Sequence, residues 1–485
     1  MTLTPVRPSP AAATERYEAI TLKNWRSIPQ IQALSADLQR DIDVVARVLP
    51  FKSNRFVIEN LIDWSRIPED PIYRLTFPQK EMLAPDHYAR IEGLLARDAA
   101  ADEITQAANE IRLTLNPHPA GQMEHNVPQL NGKPLPGMQH KYRETVLFFP
   151  SQGQTCHAYC SFCFRWPQFV GMDGLKFAMR EADQLRDYVE AHPEISDVLF
   201  TGGDPLVMKT RVLQAYIDPL LEPDVAPNLR TIRIGSKALS YWPQRFTSDD
   251  DADDLLALLE RVIQSGRQVA LMAHFNHAVE LEPVVTQQAI QRLRSIGVQI
   301  RTQTPLLHHI NDDADVLASM WRRQTQLGCI PYYLFIARDT GAKRYFELPL
   351  ERCWDLFRDA YKQVSGVART VRGPSMSATP GKVQVLGVAD AGGERVFVLR
   401  MVQGRNPDWV GRPFFAKYDP TATWLDDLTP AFGESEFFYD AELRELLAGS
   451  GSPWSSAGQS TEPILNLPLR DAEVGESELV LPEAR

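Results

Sequence analysis

The chain has 485 residues, 44% hydrophobic and 23% charged, the proportions of a soluble globular protein with room for two or three domains. Its 62 acidic residues outnumber 51 basic ones, a formal net charge of −11, which argues against a general nucleic-acid or anionic-membrane surface because both need a basic field. No stretch approaches the ~20 apolar residues of a membrane span. The N-terminal "MTLTPVRPSPAAATERYEAI" lacks the apolar centre of a secretory signal, and an odd count of five cysteines, three of them tightly clustered, makes no disulfide framework, so a reducing cytoplasm is expected.

Residues 1–115 are predicted to be mostly helical: "SADLQRDIDVVARVLP" opens on a Ser cap and spaces its apolar residues at helical intervals, as does the stretch that follows. Residues 116–140, dense in Pro, Gly and Asn, read as a linker or long ordered loop. From about 145, short β-rich runs alternate with amphipathic ones. Strands are predicted at 145–150, 197–203, 229–236, 268–277, 298–307 and 331–338. Six β/α units imply a parallel α/β sheet curling into a partial, TIM-like (β/α)6 barrel, with a cleft over the C-terminal strand ends. Those ends carry Gly202, Gly203, Asp204, Ser236, His274, Asn276, His277, Gln303 and Arg338. Polar residues end many strands, yet five in succession favour a site. The core is placed at 141–375, and a C-terminal α+β extension with a hairpin at 376–450. Residues 451–485 have a disordered composition.

Three of the five cysteines stand within eight residues, "CHAYCSFC", as C-x3-C-x2-C: Cys156, Cys160 and Cys163. A structural zinc site needs four ligands, usually from two short pairs, and no second pair exists. Cys329 and Cys353 stand alone in an apolar strand and a helical run and read as ordinary buried thiols. A C-x-x-C redox pair is weakened by the extra Cys156. Three thiolates can instead bind three irons of a four-iron, four-sulfur (4Fe–4S) cluster and leave the fourth open to an exogenous ligand.

This motif after the first barrel strand, followed one strand later by "FTGGDPL", resembles the radical S-adenosylmethionine (SAM) superfamily. "IRIGSKALSYWPQRFT", "AHFNH", "PYYLF" and "PGKVQV" are similar to the lysine 2,3-aminomutase family, over roughly residues 140–390. The resemblance implies an isomerase that uses SAM with pyridoxal 5′-phosphate (PLP) to move an amino group from the α to the β carbon of an amino acid. It also implies a low-potential electron donor such as flavodoxin or ferredoxin, and often a homo-oligomer. Gly202, Gly203, Asp204, Ser236, His274 and Gln303 fall among the implied cofactor-binding positions. Lys382 matches the lysine that carries PLP, although its glycine turn is shorter than the family's, and Lys141 and Arg143 match the basic segment for the PLP phosphate. Arg165 matches the arginine for the substrate carboxylate.

Two aspartates of the family bracket the distal ammonium of lysine. Here the first falls on Arg338, with Asp339 one residue away, and the second on or near Ser377. An arginine reverses the charge that meets the far end of the substrate, so an acidic or polar amino acid such as glutamate is expected instead of lysine. Two alternatives follow from the same residues: the radical core without PLP, or a cluster that only braces the fold.

Overall fold

The computed structural model describes residues 16–172, 175–222 and 225–448; the tail with a disordered composition lies outside them. Eleven strands join in one sheet. Its centre is parallel and runs in chain order: Thr145–Phe148, Asp197–Phe200, Thr231–Ser236, Gln268–His274, Gln299–Leu306 and Ile330–Ile336. All six predicted strands form, mostly shorter at one or both ends. A seventh parallel strand, Arg372–Ser377, follows; its Gly373-Pro374 pair disguised it in the sequence. Beyond it the chain turns antiparallel through Gly381–Ala391, Glu394–Gly404 and Pro413–Lys417, and at the other edge Met138–Tyr142 pairs antiparallel with the first core strand.

Each of the six core strands is followed by one amphipathic helix: Ala182–Ala191, Thr210–Leu221, Ala252–Gln264, Val284–Ser295, Ala314–Gln326 and Leu350–Lys362. The period-2 alternation of the strands sorts their side chains. In Thr231–Ser236, Ile232 and Ile234 are buried in the core, while Arg233 reaches Asp197 and Thr145 on neighbouring strands. The sheet curls: the ammonium of Lys382, near one end of the strand order, lies 5.2 Å from the ring centre of Tyr142 on the opposite edge strand. The result is an open α/β barrel.

The N-terminal residues form short helices, among them Ala36–Val45, Pro71–Thr76, Pro85–Ala96 and Ala101–Thr114. Their core, including Ile42, Phe56, Ile72 and Phe77, is continuous with Ala158 and Trp166 beside the cysteines and with Tyr241, Trp242 and Phe346 on the rim of the barrel. Burying a side chain such as Phe56 contributes ~1.5–3 kcal/mol, so the same contacts stabilise the N-terminal region and the cysteine loop. Among the described residues no helix is long and apolar enough to cross a membrane.

Candidate active site

The cysteine loop leaves the first core strand at the C-terminal rim and is held by its backbone. Cys163 N–H donates to the Cys160 carbonyl (3.1 Å), Tyr159 N–H to the Lys52 carbonyl (2.8 Å) and Ser161 N–H to the Leu75 carbonyl (2.9 Å). The His157 carbonyl accepts from the Tyr17 hydroxyl (2.8 Å) and from Asn54 Nδ2 (3.2 Å). Four of these anchors, Tyr17, Lys52, Asn54 and Leu75, come from the N-terminal region. The thiols are free, and burial first raises the pKa of Cys156 and Cys160, the latter to about 12; Asp204 and the other two thiols add to it at Cys156, and Cys163 at Cys160. Such a trio stays protonated unless cations neutralise it. No three His, Cys, Asp or Glu side chains among the described residues gather about a single-ion site. A zinc ion draws its thiolates to ~2.3 Å, whereas a cluster spreads them over separate iron corners.

The glycine turn packs directly on this loop. Gly202 has φ of +137°, and a Cβ on Gly203 would stand 2.4 Å from the Thr155 carbonyl oxygen and 2.5 Å from its nitrogen. Asp204 N–H donates to the Thr155 carbonyl at 2.6 Å. The buried Asp204 carboxylate accepts from Leu206 N–H (3.0 Å), Ser236 Oγ (2.9 Å) and Lys237 N–H (2.9 Å). Asp204 and Ser236 thus bond each other and lock the ends of the second and third core strands. His274 and Gln303 are register partners on adjacent strands. The His274 ring meets Phe162 of the cysteine loop edge-on at 5.6 Å, and burial depresses its pKa well below the usual range, so it is neutral.

Lys382 points across the barrel from the opposite side. Its ammonium lies 5.2 Å from the Tyr142 ring centre and 4.9 Å from that of Tyr333, and donates to Gln403 Oε1 at 2.5 Å. Burial, reinforced by Arg233 and Arg372, lowers its pKa to about 7. Lys141 donates to the Ala378 carbonyl and is close enough to Arg405, Arg338 and Lys382 for each to depress its pKa further. A pairing irregularity between Gln139 and Tyr142 lets the consecutive Lys141 and Tyr142 both reach this space.

Arg143 does not join them. It is exposed in the turn after Tyr142, and its carbonyl accepts from His140 Nε2 (3.0 Å). The strand ends one residue too early for Arg143 to share a face with Lys141.

The Arg165 guanidinium lies 4.3 Å from the Phe149 ring centre and 5.0 Å from that of Phe164; the Arg338 guanidinium is also 5.0 Å from the Phe164 ring. Arg338 Nη2 donates to the Pro119 carbonyl (3.4 Å), and its buried Nε has no partner. Asp339 Oδ2 accepts from Asn116 Nδ2 at 3.0 Å, its buried Oδ1 has no partner, and its charge supports that of Arg338. Ser377 lies opposite Lys382 in register. Of the carboxylates near these cations, Asp339, which Arg338 feels, bonds Asn116 through one oxygen, and Asp197, which Lys382 feels, pairs with Arg233 (2.5 Å).

Sequence reasoning missed Arg405 and the linker. Arg405 is buried and donates to the Thr379 and His125 carbonyls (2.9 and 3.1 Å) and to Asn126 Oδ1 (2.7 Å), tying the linker to the turn before Lys382. His118, Gln122 and Met123 of the linker line a cleft with Phe149 and Arg165. Neither had a periodic signal.

Over 405 residues the chain is 32% identical to a provisionally named L-lysine 2,3-aminomutase of Aquifex aeolicus (strain VF5), a match covering 83% of this chain and 94% of that protein. The chain belongs to the lysine 2,3-aminomutase family of radical SAM enzymes. Within the family it is 31% identical over 258 residues to L-lysine 2,3-aminomutase of Escherichia coli (strain K12), covering 52% of this chain and 70% of the other. The corresponding enzyme of Clostridium subterminale is 28% identical over 265 residues, 55% of this chain and 60% of that one. No family model matches. Among solved structures, Streptococcus suis SuiB bound to S-adenosylmethionine is similar at 10% identity and a TM-score of 0.33, over 56% of this chain and 55% of that one.

This family of isomerases works with a 4Fe–4S cluster, SAM and PLP. The residues present fit all three: three thiols on one short loop near enough for Cys160 and Cys163 to act on Cys156, a glycine turn with no room for a Cβ beside them, and a lysine between two tyrosine rings among cations.

Proposed function

We propose that this chain is a radical SAM, PLP-dependent 2,3-aminomutase whose substrate is an acidic amino acid such as glutamate, with the amino group moving from the α to the β carbon. The observation that carries the substrate choice is Arg338. Its buried guanidinium, with Nε unpaired, shares the Phe164 ring with Arg165, while the adjacent Asp339 faces Asn116. A lysine ammonium brought there would meet like charge in a desolvated space. A second carboxylate would be held there by charge-assisted hydrogen bonds.

When bound, the cluster and SAM supply the radical and PLP supplies the path for nitrogen migration. Cys156, Cys160 and Cys163 would hold three irons, and Lys141 stands ready for the PLP phosphate. Arg165 keeps its charge at neutral pH, its pKa lowered by burial only to about 10, and would grip the α-carboxylate. Lys382, half neutral near pH 7, offers a free amine lone pair to PLP without an external base. Tyr142 and Tyr333 flank that amine and exclude water from it. In this reading, residues 141–375 generate and aim the radical, 376–450 present the lysine, and 1–115 close the rim over the cysteines.

The test is an anaerobic screen of the purified enzyme with SAM, PLP and dithionite against a panel of amino acids. The expected products are 5′-deoxyadenosine and a β-amino acid from glutamate, identified by mass spectrometry. Lys382→Ala is expected to lose the visible absorption of lysine-bound PLP. Conversion of lysine to β-lysine at least as efficient as any other turnover would overturn the substrate assignment.

A further inference from the structure

Behind the cysteine loop lies a polar assembly that the reaction described above does not use. The Tyr241 hydroxyl is 3.4 Å from Cys160 Sγ, in a side chain only 1% exposed. An iron-bound cysteine is a thiolate and can only accept, so in the loaded enzyme the hydroxyl is the donor. Tyr241 is fixed from three directions. Its N–H donates to the Lys237 carbonyl (2.9 Å), its carbonyl accepts from Asn54 Nδ2 (2.9 Å), and the Lys237 ammonium sits 4.4 Å from its ring centre. Lys237 is itself held by Glu280 Oε1 (2.5 Å) and Asn276 Oδ1 (2.9 Å), and Glu280 also accepts from Ser240 Oγ. A cation over a phenol face withdraws electron density from the ring and strengthens the O–H as a donor.

We propose that Tyr241 is a positioning residue of the iron–sulfur centre: its hydroxyl donates to the Cys160 thiolate and eases one-electron reduction of the cluster. In that step one electron, from dithionite in the assay, converts the 2+ cluster to the 1+ form, and no proton moves. The added negative charge is disfavoured in this buried loop, and a donor to a ligand sulfur stabilises it selectively, which raises the potential. The inference rests on the cluster reading made above.

The experiment is a redox titration of the anaerobically reconstituted full-length enzyme, followed by the electron paramagnetic resonance signal of the reduced cluster. It compares the wild type, Tyr241→Phe, and a chain carrying 3,5-difluorotyrosine at position 241, with iron and sulfide measured in each. The midpoint potential is expected to fall in Tyr241→Phe and to rise with difluorotyrosine, whose more acidic hydroxyl donates more strongly. Equal potentials in all three would overturn the proposal. If Tyr241→Phe loads less iron and sulfide, the difluorotyrosine enzyme decides alone: a rise supports the assignment, and no change or a fall overturns it. Iron without sulfide in the wild type would instead remove the cluster reading.

Discussion

Specificity and reactivity in this barrel rest on a few charges held out of water. In the proposed reading Arg338 stands where the resemblance implies an aspartate, and its neighbour Asp339 is bonded to Asn116. Arg338→Asp is therefore expected to lower kcat/KM for glutamate roughly 100-fold, about 2.7 kcal/mol, and to raise that for lysine; steady-state kinetics on both amino acids read it. Lys382 makes a prediction about pH. Burial depresses its pKa to about 7, so the reactive neutral amine forms as pH rises through 7. The rate of PLP loading should climb between pH 6 and about 8 and then level off. A rate that keeps rising toward pH 10, where an exposed lysine titrates, would show that the ammonium is not desolvated. Arg143 shows where residue-level reading stops. The resemblance offered it beside Lys141 for the PLP phosphate, and the turn that ends the strand at Tyr142 leaves it exposed.

At the scale of elements, alternation and turn chemistry made most of the core legible. Six strands with alternating or continuous apolar runs, each followed by an amphipathic helix, leave few arrangements other than a parallel curled sheet. The glycine turn was legible for the same reason: two glycines at a strand end mark a close approach, and the Thr155 backbone occupies the space a Cβ would take. Gly203→Ala is accordingly expected to displace the cysteine loop, because neither backbone can yield, and to cut SAM affinity at least tenfold, as measured by calorimetry on the loaded enzyme. Wild-type affinity in that variant would show the contact to be slack. The strand Arg372–Ser377 was hidden by its Gly-Pro pair, and the linker by its lack of periodicity. Their places depend on partners distant in sequence, such as Arg405, which bonds both His125 and Thr379.

For the molecule as a whole, the N-terminal helices are part of the active site's support. They share one core with the cysteine loop, and Asn54 bonds both the His157 and the Tyr241 carbonyls while capping the helix Arg55–Asn60. Sequence periodicity gave the helices but not this docking, since an apolar helical face does not name its partner. Removing the Asn54 side chain leaves the Tyr241 carbonyl without that donor, the His157 carbonyl with the Tyr17 hydroxyl alone, and a helix uncapped. Asn54→Ala should cost about 3 kcal/mol and release iron at a lower temperature, seen by following thermal unfolding through cluster absorbance. In the proposed enzyme one barrel joins a radical source at Cys156, Cys160 and Cys163 to a PLP lysine at Lys382, with arginines at both ends of the substrate. The most direct test is an anaerobic competition between equal amounts of isotopically labelled glutamate and lysine, with SAM, PLP and dithionite. The account predicts labelled β-glutamate alongside 5′-deoxyadenosine and little β-lysine; β-lysine as the main product would contradict it.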